Sequence, residues 1–145
     1  DVDPEFDPLE ADGMTSMGAA LRLAAQHLHE RRKLYRNAGI SSYRPWVILM
    51  TDGGPNDDWE QSATEMRTLG EQGNIQYLGI AIGDNADLNI LNNILPSQPG
   101  PIRLQGLRFR QFFRWLTDSL KSVSASAVSQ QDDVQFHDIT DWGDL

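Results

Sequence analysis

Two loops of this chain hold side chains whose types could do chemistry together. The first is Gly13-Met14-Thr15-Ser16-Met17-Gly18, which opens a helical pattern. The second is Thr51-Asp52-Gly53-Gly54, directly behind the most hydrophobic stretch. Asp52 brings an anionic side chain to the edge of a buried element. A lone carboxylate there is costly unless a cation or several donors meet it. Thr15 offers a neutral hydroxyl oxygen beside a helix N-terminus. One carboxylate with hydroxyl oxygens suits a hard divalent ion such as Mg²⁺. The same residues have a plainer use, with Thr15 capping its helix and Asp52 bracing a turn. Spacing alone leaves both uses open.

The elements around them decide whether the loops can meet. Met17, Leu21, Ala24, Leu28 and Tyr35 lie on one helical stripe, which stops at Asn37-Ala38-Gly39. Pro45 to Thr51 is a short, continuous apolar run, read as a strand buried on both faces. Asp52 to Asp58 is a loop, and Asn56 or Asp57 is placed to cap a helix carrying Trp59, Ala63 and Met66 inward. Ile75–Ile82 is a second strand, followed by the turn Gly83-Asp84-Asn85. A short helix runs through Leu88, Leu91 and Leu95. Ile102–Leu104 is a third strand, and Phe109 to Val123 an amphipathic helix. This alternation implies an α/β fold, a three-layer Rossmann-like, mostly parallel sheet with helices on both faces. Ligands in such sheets bind outside the carboxyl ends of the strands, where both loops would lie.

Composition removes several classes. The 145 residues contain no cysteine, which excludes a disulfide scaffold, a Cys-ligated zinc and a thiol nucleophile. No apolar run approaches the ~18 residues of a membrane span. The net charge of −9 sits at the ends: residues 1–12 hold six acids and 132–145 five, with no Lys or Arg in either stretch. The near-neutral body gives neither the basic footprint of a nucleic-acid binder nor an anionic-membrane surface. His27 and His29, two apart on a helix, share no face and read as solvated, and His137 is far off. The basic run Arg31-Arg32-Lys33 with Arg36 complements a helix C-terminus. Phe109, Phe112, Phe113 and Trp115 read as core, and Arg110 and Arg114 as the wet face. There is no P-loop, no Gly-x-Ser-x-Gly elbow and no second acid two residues beyond Asp52, where Gly54 stands.

The motifs together resemble a known family. Ala11-Asp12-Gly13-Met14-Thr15-Ser16-Met17-Gly18, Tyr43-Arg44-Pro45-Trp46-Val47-Ile48-Leu49-Met50-Thr51-Asp52-Gly53, Asp57-Asp58-Trp59, Gly79-Ile80-Ala81-Ile82-Gly83 and Phe112-Phe113-Arg114-Trp115-Leu116 resemble the von Willebrand factor type A (vWA) domains. They are most similar to the bacterial, cytoplasmic ones associated with tellurium resistance. The resemblance implies a metal-ion-dependent adhesion site holding Mg²⁺ or Mn²⁺. Thr15 and Asp52 match two of its ligands, and Gly13, Ser16, Gly53, Gly54 and Asp57 form its rim. The family's Asp-x-Ser-x-Ser motif is missing. Residues 1–126 are therefore expected to be the C-terminal two-thirds of a vWA domain, incomplete at the N-terminus. The missing first strand would lie beside the one ending at Asp52 and leave its edge open. Residues 127–145 are expected to be a Ser-rich linker and an acidic tail. In that tail Trp142 is either pinned against the body or accompanies an Asp that reaches a neighbour's metal site.

What the resemblance implies functionally is a cytoplasmic protein-binding module, not an enzyme, in a bacterial stress response. Its metal would engage an Asp or Glu of a partner protein, with a Ser/Thr kinase-like protein and a PP2C-type phosphatase as partners. Two alternatives stand beside it: a Mg²⁺-dependent phosphohydrolase or phosphoryl-transfer domain using Asp52, and a metal-free scaffold with a degenerate site.

Overall fold

The computed structural model describes residues 13–96, 100–125 and 142–144. In chain order the elements are α1 (Met17–Asn37), β1 (Trp46–Thr51), α2 (Glu60–Glu71), β2 (Gln76–Ile82), α3 (Leu88–Ile94), β3 (Ile102–Leu104), α4 (Phe109–Ala125) and β4 (Gly143–Asp144). Helix α1 stops where the sequence places its breaker. The Ile40 amide reaches back to the Tyr35 carbonyl, and Gly39 supplies the left-handed φ of +65° that this closure needs.

The four strands lie in the order β1-β2-β3-β4. The first three are parallel, with Trp46 beside Gln76, Thr51 beside Ala81, and Ile82 beside Leu104. Each crossover between them carries a helix, as parallel pairing requires. Alternation along the strands divides the core in two. On one face Tyr77 and Ala81 pack with Met17, Leu21, Met66 and Leu91, from α1, α2 and α3. On the other, Leu78, Ile80, Ile102 and Leu104 pack with Phe112 and Trp115 of α4. The expected α/β sheet with helices on both faces is therefore the observed architecture. No helix among the described residues is long and apolar enough to cross a membrane.

Three features differ from the sequence reading. β1, read as buried on both faces, has Trp46 to Met50 only half-buried, while its place at an edge of the described sheet is the open edge that the missing-strand reading expects. The buried strand is β2, where Tyr77 to Ala81 are covered on both sides. An apolar composition suits either place; the number of neighbouring strands decides which. A groove of about 450 Å³ runs between β1 and α1, lined by Ala24, Leu28, Val47 and Ile48 among others. An apolar, unpaired strand edge is a template for another strand.

The second difference is at the C-terminus. Gly143 and Asp144 form β4, antiparallel to β3, with Leu104 beside Gly143 and Arg103 beside Asp144. Trp142 is fully buried against Phe112 and Trp115, with ring centroids 5.0 and 4.9 Å away, which is the pinned alternative of the sequence reading. Residues 142–144 thus belong to the sheet, while the rest of the linker and tail, His137 included, lies outside the described residues. Phe113, read as core, is instead 53% exposed, because the inward face of α4 is Phe112, Trp115, Ser119 and Val123. Arg110 and Arg114 are exposed as expected.

One buried group invites a simple test. The Tyr77 hydroxyl is enclosed, without a hydrogen-bond partner among the described residues, and burial pushes the phenol's pKa up. Removing it deletes an unmet polar group and almost no volume. Tyr77→Phe should leave stability unchanged or raise it by about 1 kcal/mol in urea denaturation. A loss of that size would mean the hydroxyl is bonded after all.

Candidate functional site

Parallel pairing brings the carboxyl ends of β1, β2 and β3 to one end of the sheet. The segments after Thr51, Ile82 and Leu104 gather there. The start of α1 comes to the same place because it is bolted to the loop after β1. Gly18 lies so close to that loop that a Cβ on it would fall 2.2 Å from the Asp58 carbonyl oxygen. The Asp57 carboxylate spans the gap, accepting from the Gly18 amide at 2.8 Å and the Ala19 amide at 2.9 Å. Asn56 grips Thr15 twice, accepting from its amide at 3.1 Å and donating its own amide to the Thr15 carbonyl at 2.9 Å.

Asp57 therefore caps a helix, but not the one that the sequence suggests. Helix α2 starts at Glu60 with no side-chain cap. The chemistry is the one local sequence implies, a carboxylate at helix amides, but it serves α1 and not the helix that follows. The Gly18 amide, helped by the Ala19 amide and the Arg22 charge, holds the Asp57 carboxyl below the usual carboxylate range despite the opposing effect of desolvation.

This arrangement answers the plain alternative for the two ligand candidates. Thr15 does not cap α1 with its hydroxyl: the N-cap position is Ser16, which makes no side-chain cap bond, and Asp57 takes that work. Asp52 does not brace its turn. Thr51 does, donating its hydroxyl to the Gly53 carbonyl at 2.9 Å and accepting from the Gly53 amide at 3.3 Å. Among the described residues, neither the Thr15 hydroxyl nor the Asp52 carboxylate has a hydrogen-bond or ion-pair partner. Asp52 is exposed and Thr15 half-buried.

The other expected rim residues divide. Ser16 and Gly13 are exposed beside Thr15, and Gly13 takes a φ of +82°. Gly53 and Gly54 are half-buried under the turn, where a Cβ on Gly54 would come 3.3 Å from Ile90. Asp57 is at the rim by position, but both its oxygens are committed to α1. Asp87, near the turn after β2, is occupied in capping α3 through Asn89 and Ile90. His27 and His29 are exposed on α1.

Hard oxygen donors fit a Mg²⁺-like ion in kind, but two of them do not fill its shell of six. Among the described residues there is no group of three or more His, Cys, Asp or Glu that could hold a metal. Thr15 and Asp52 can only be part of a ligand set.

A family model for the von Willebrand factor type A domain matches residues 6–111, from ahead of the Thr15 loop into α4. The chain belongs to the vWA domain family. No curated protein and no solved structure matches it significantly. The matched span of this vWA domain holds both candidate loops and all three parallel strands. It stops short of β4, so the Trp142 contact lies outside it. Sequence reasoning missed the double grip of Asn56 on Thr15. The only signal for it was the clustering of Asn56, Asp57 and Asp58 after a strand end.

Proposed function

We propose that this vWA domain is a protein-binding module in which Thr15 and Asp52 help to hold Mg²⁺ or Mn²⁺. The bound ion would supply an open coordination position for an Asp or Glu carboxylate of a partner. One observation carries this reading: the structural tasks open to these two residues are performed by Asp57 and Thr51, which leaves both side chains uncommitted among the described residues at the end of the sheet. The remaining ligands would come from a further strand on the open edge of β1, beside Asp52. The half-buried apolar residues of that edge support such a strand. Met14 and Leu107, 74% and 73% exposed in loops at the same end, support a macromolecular partner with apolar surface around its acid. The finer setting rests on the resemblance alone. It is a cytoplasmic tellurium-resistance-like stress response, with kinase-like and phosphatase partners and no turnover by the domain itself.

Titration calorimetry of the full-length protein with Mg²⁺ tests the reading. The expected result is stoichiometric binding, with affinity reduced at least tenfold in Asp52→Ala while the variant stays folded. Equal affinity in the two proteins removes Asp52 from the site.

A further inference from the structure

Asn56 and Asp57 offer no oxygen to the ion in this reading, yet they make four of the cross-links that hold the two loops together. Asp57 takes the first amides of α1 on both its oxygens, and Asn56 pairs with both backbone groups of Thr15. The residues joined by these four links are 38 to 41 positions apart in sequence. Arg22 extends the same seam, donating to the Asp58 carbonyl and to the Ser62 hydroxyl, both at 3.3 Å. Neither Asn56 nor Asp57 caps α2, the helix that they precede, which begins without a side-chain cap.

The two ligand candidates arise from different parts of the chain. Thr15 precedes α1 and Asp52 follows β1, with the whole of α1 between them. Their separation is set by whatever ties the two loops. Asn56 is four residues past Asp52 and bonds directly to the Thr15 backbone. An ion that finds its ligands already spaced does not have to order two loops at the cost of its binding energy.

We propose that Asn56 and Asp57 are positioning residues of the metal site: they clamp the Thr15 loop to the Asp52 loop before an ion arrives. The inference rests on the metal-site reading above and adds to it which residues preset its geometry. Groups that orient metal ligands from behind typically change affinity 10- to 100-fold when removed.

The test compares Mg²⁺ affinity of full-length variants by calorimetry, each at a temperature where circular dichroism shows it fully folded. Asp57→Ala should bind 10- to 100-fold more weakly, although Thr15 and Asp52 are untouched. Asp57→Asn retains one acceptor for α1 and should recover part of the loss. Met66→Ala, a cavity variant in the core of α2, controls for lowered stability and should bind within twofold of wild type. Should Asp57→Ala not fold, Asp57→Asn and Asn56→Ala carry the comparison. Wild-type affinity in the clamp variants, or an equal loss in Met66→Ala, overturns the clamp while leaving the metal site standing. No binding by the wild type, or undiminished binding by Asp52→Ala, brings down both.

Discussion

Gly18→Ala should destabilise the domain by about 1–3 kcal/mol, lowering its urea midpoint accordingly. Two effects compete at this position. Alanine is the better helix former by up to ~1 kcal/mol, and position 18 lies in the first turn of α1. Against that, the new methyl would sit 2.2 Å from the Asp58 carbonyl oxygen and 2.8 Å from the Trp59 Cα. Both are backbone atoms, so no side chain can swing aside. Forcing extra volume into packed structure costs about 1–3 kcal/mol by itself. Moving α1 away also stretches the bonds from Gly18 and Ala19 to Asp57, and losing a helix cap costs a further ~1 kcal/mol. The steric and capping losses outweigh the propensity gain. Gly53→Ala is the matched control, since a Cβ there meets nothing within 4 Å, and it should change stability by no more than ~0.5 kcal/mol. A Gly18→Ala protein as stable as wild type would mean that α1 and the loop after β1 are not in contact.

Trp142→Ala should cost about 3–5 kcal/mol, the usual range for truncating a buried aromatic. Trp142 is fully buried, meets Phe112 edge-on and Trp115 at a tilt, and its carbonyl accepts from the Gln105 amide at 2.8 Å. Its loss opens a cavity over α4 and frees β4 from Leu104. Against a total stability of about 5–15 kcal/mol, that is enough to unfold a marginal domain near physiological temperature. Tryptophan fluorescence reports the same event, because the variant loses a fully enclosed indole. If the C-terminal residues served only solubility, the variant would unfold within ~0.5 kcal/mol of wild type.

The fold was largely legible because its elements announce themselves locally. Trp46-Val47-Ile48-Leu49-Met50 is an uninterrupted apolar run, and Gly39 and Pro96 punctuate the helices. What local pattern does not encode is how many neighbours an element has. The same five residues that mark β1 as a strand also made it look fully buried, while the more enclosed strand, β2, carries a glycine at its centre. Gly79 is there because Leu95 packs onto the sheet within 2.2 Å of where its Cβ would be. β4 was unreadable for a different reason: two residues carry no period, and polar sequence precedes them. Their one legible sign was Trp142, an expensive side chain to leave in water.

The candidate site was legible as residue types and not as roles. Thr15 and Asp52 stand out by their place in the chain, but helix-cap and turn-brace uses were equally consistent with that place. Only long-range contacts separate the readings. Asp57 holds α1 from 39 residues away, and Thr51 holds the turn next to Asp52. A sequence rule that looks three or four residues ahead assigns Asp57 to α2, because the helix it serves is earlier in the chain.

The central claim is that the Thr15 and Asp52 oxygens belong to one cation site. Anomalous diffraction from crystals of the full-length protein grown with Mn²⁺ tests it most directly. The account predicts a single strong peak at this end of the sheet, reached by the Asp52 carboxylate and the Thr15 hydroxyl at about 2 Å or through one bound water. The peak should vanish in Asp52→Ala crystals. A peak elsewhere on the molecule, or none beside Asp52 in protein that binds Mn²⁺ in solution, would contradict it.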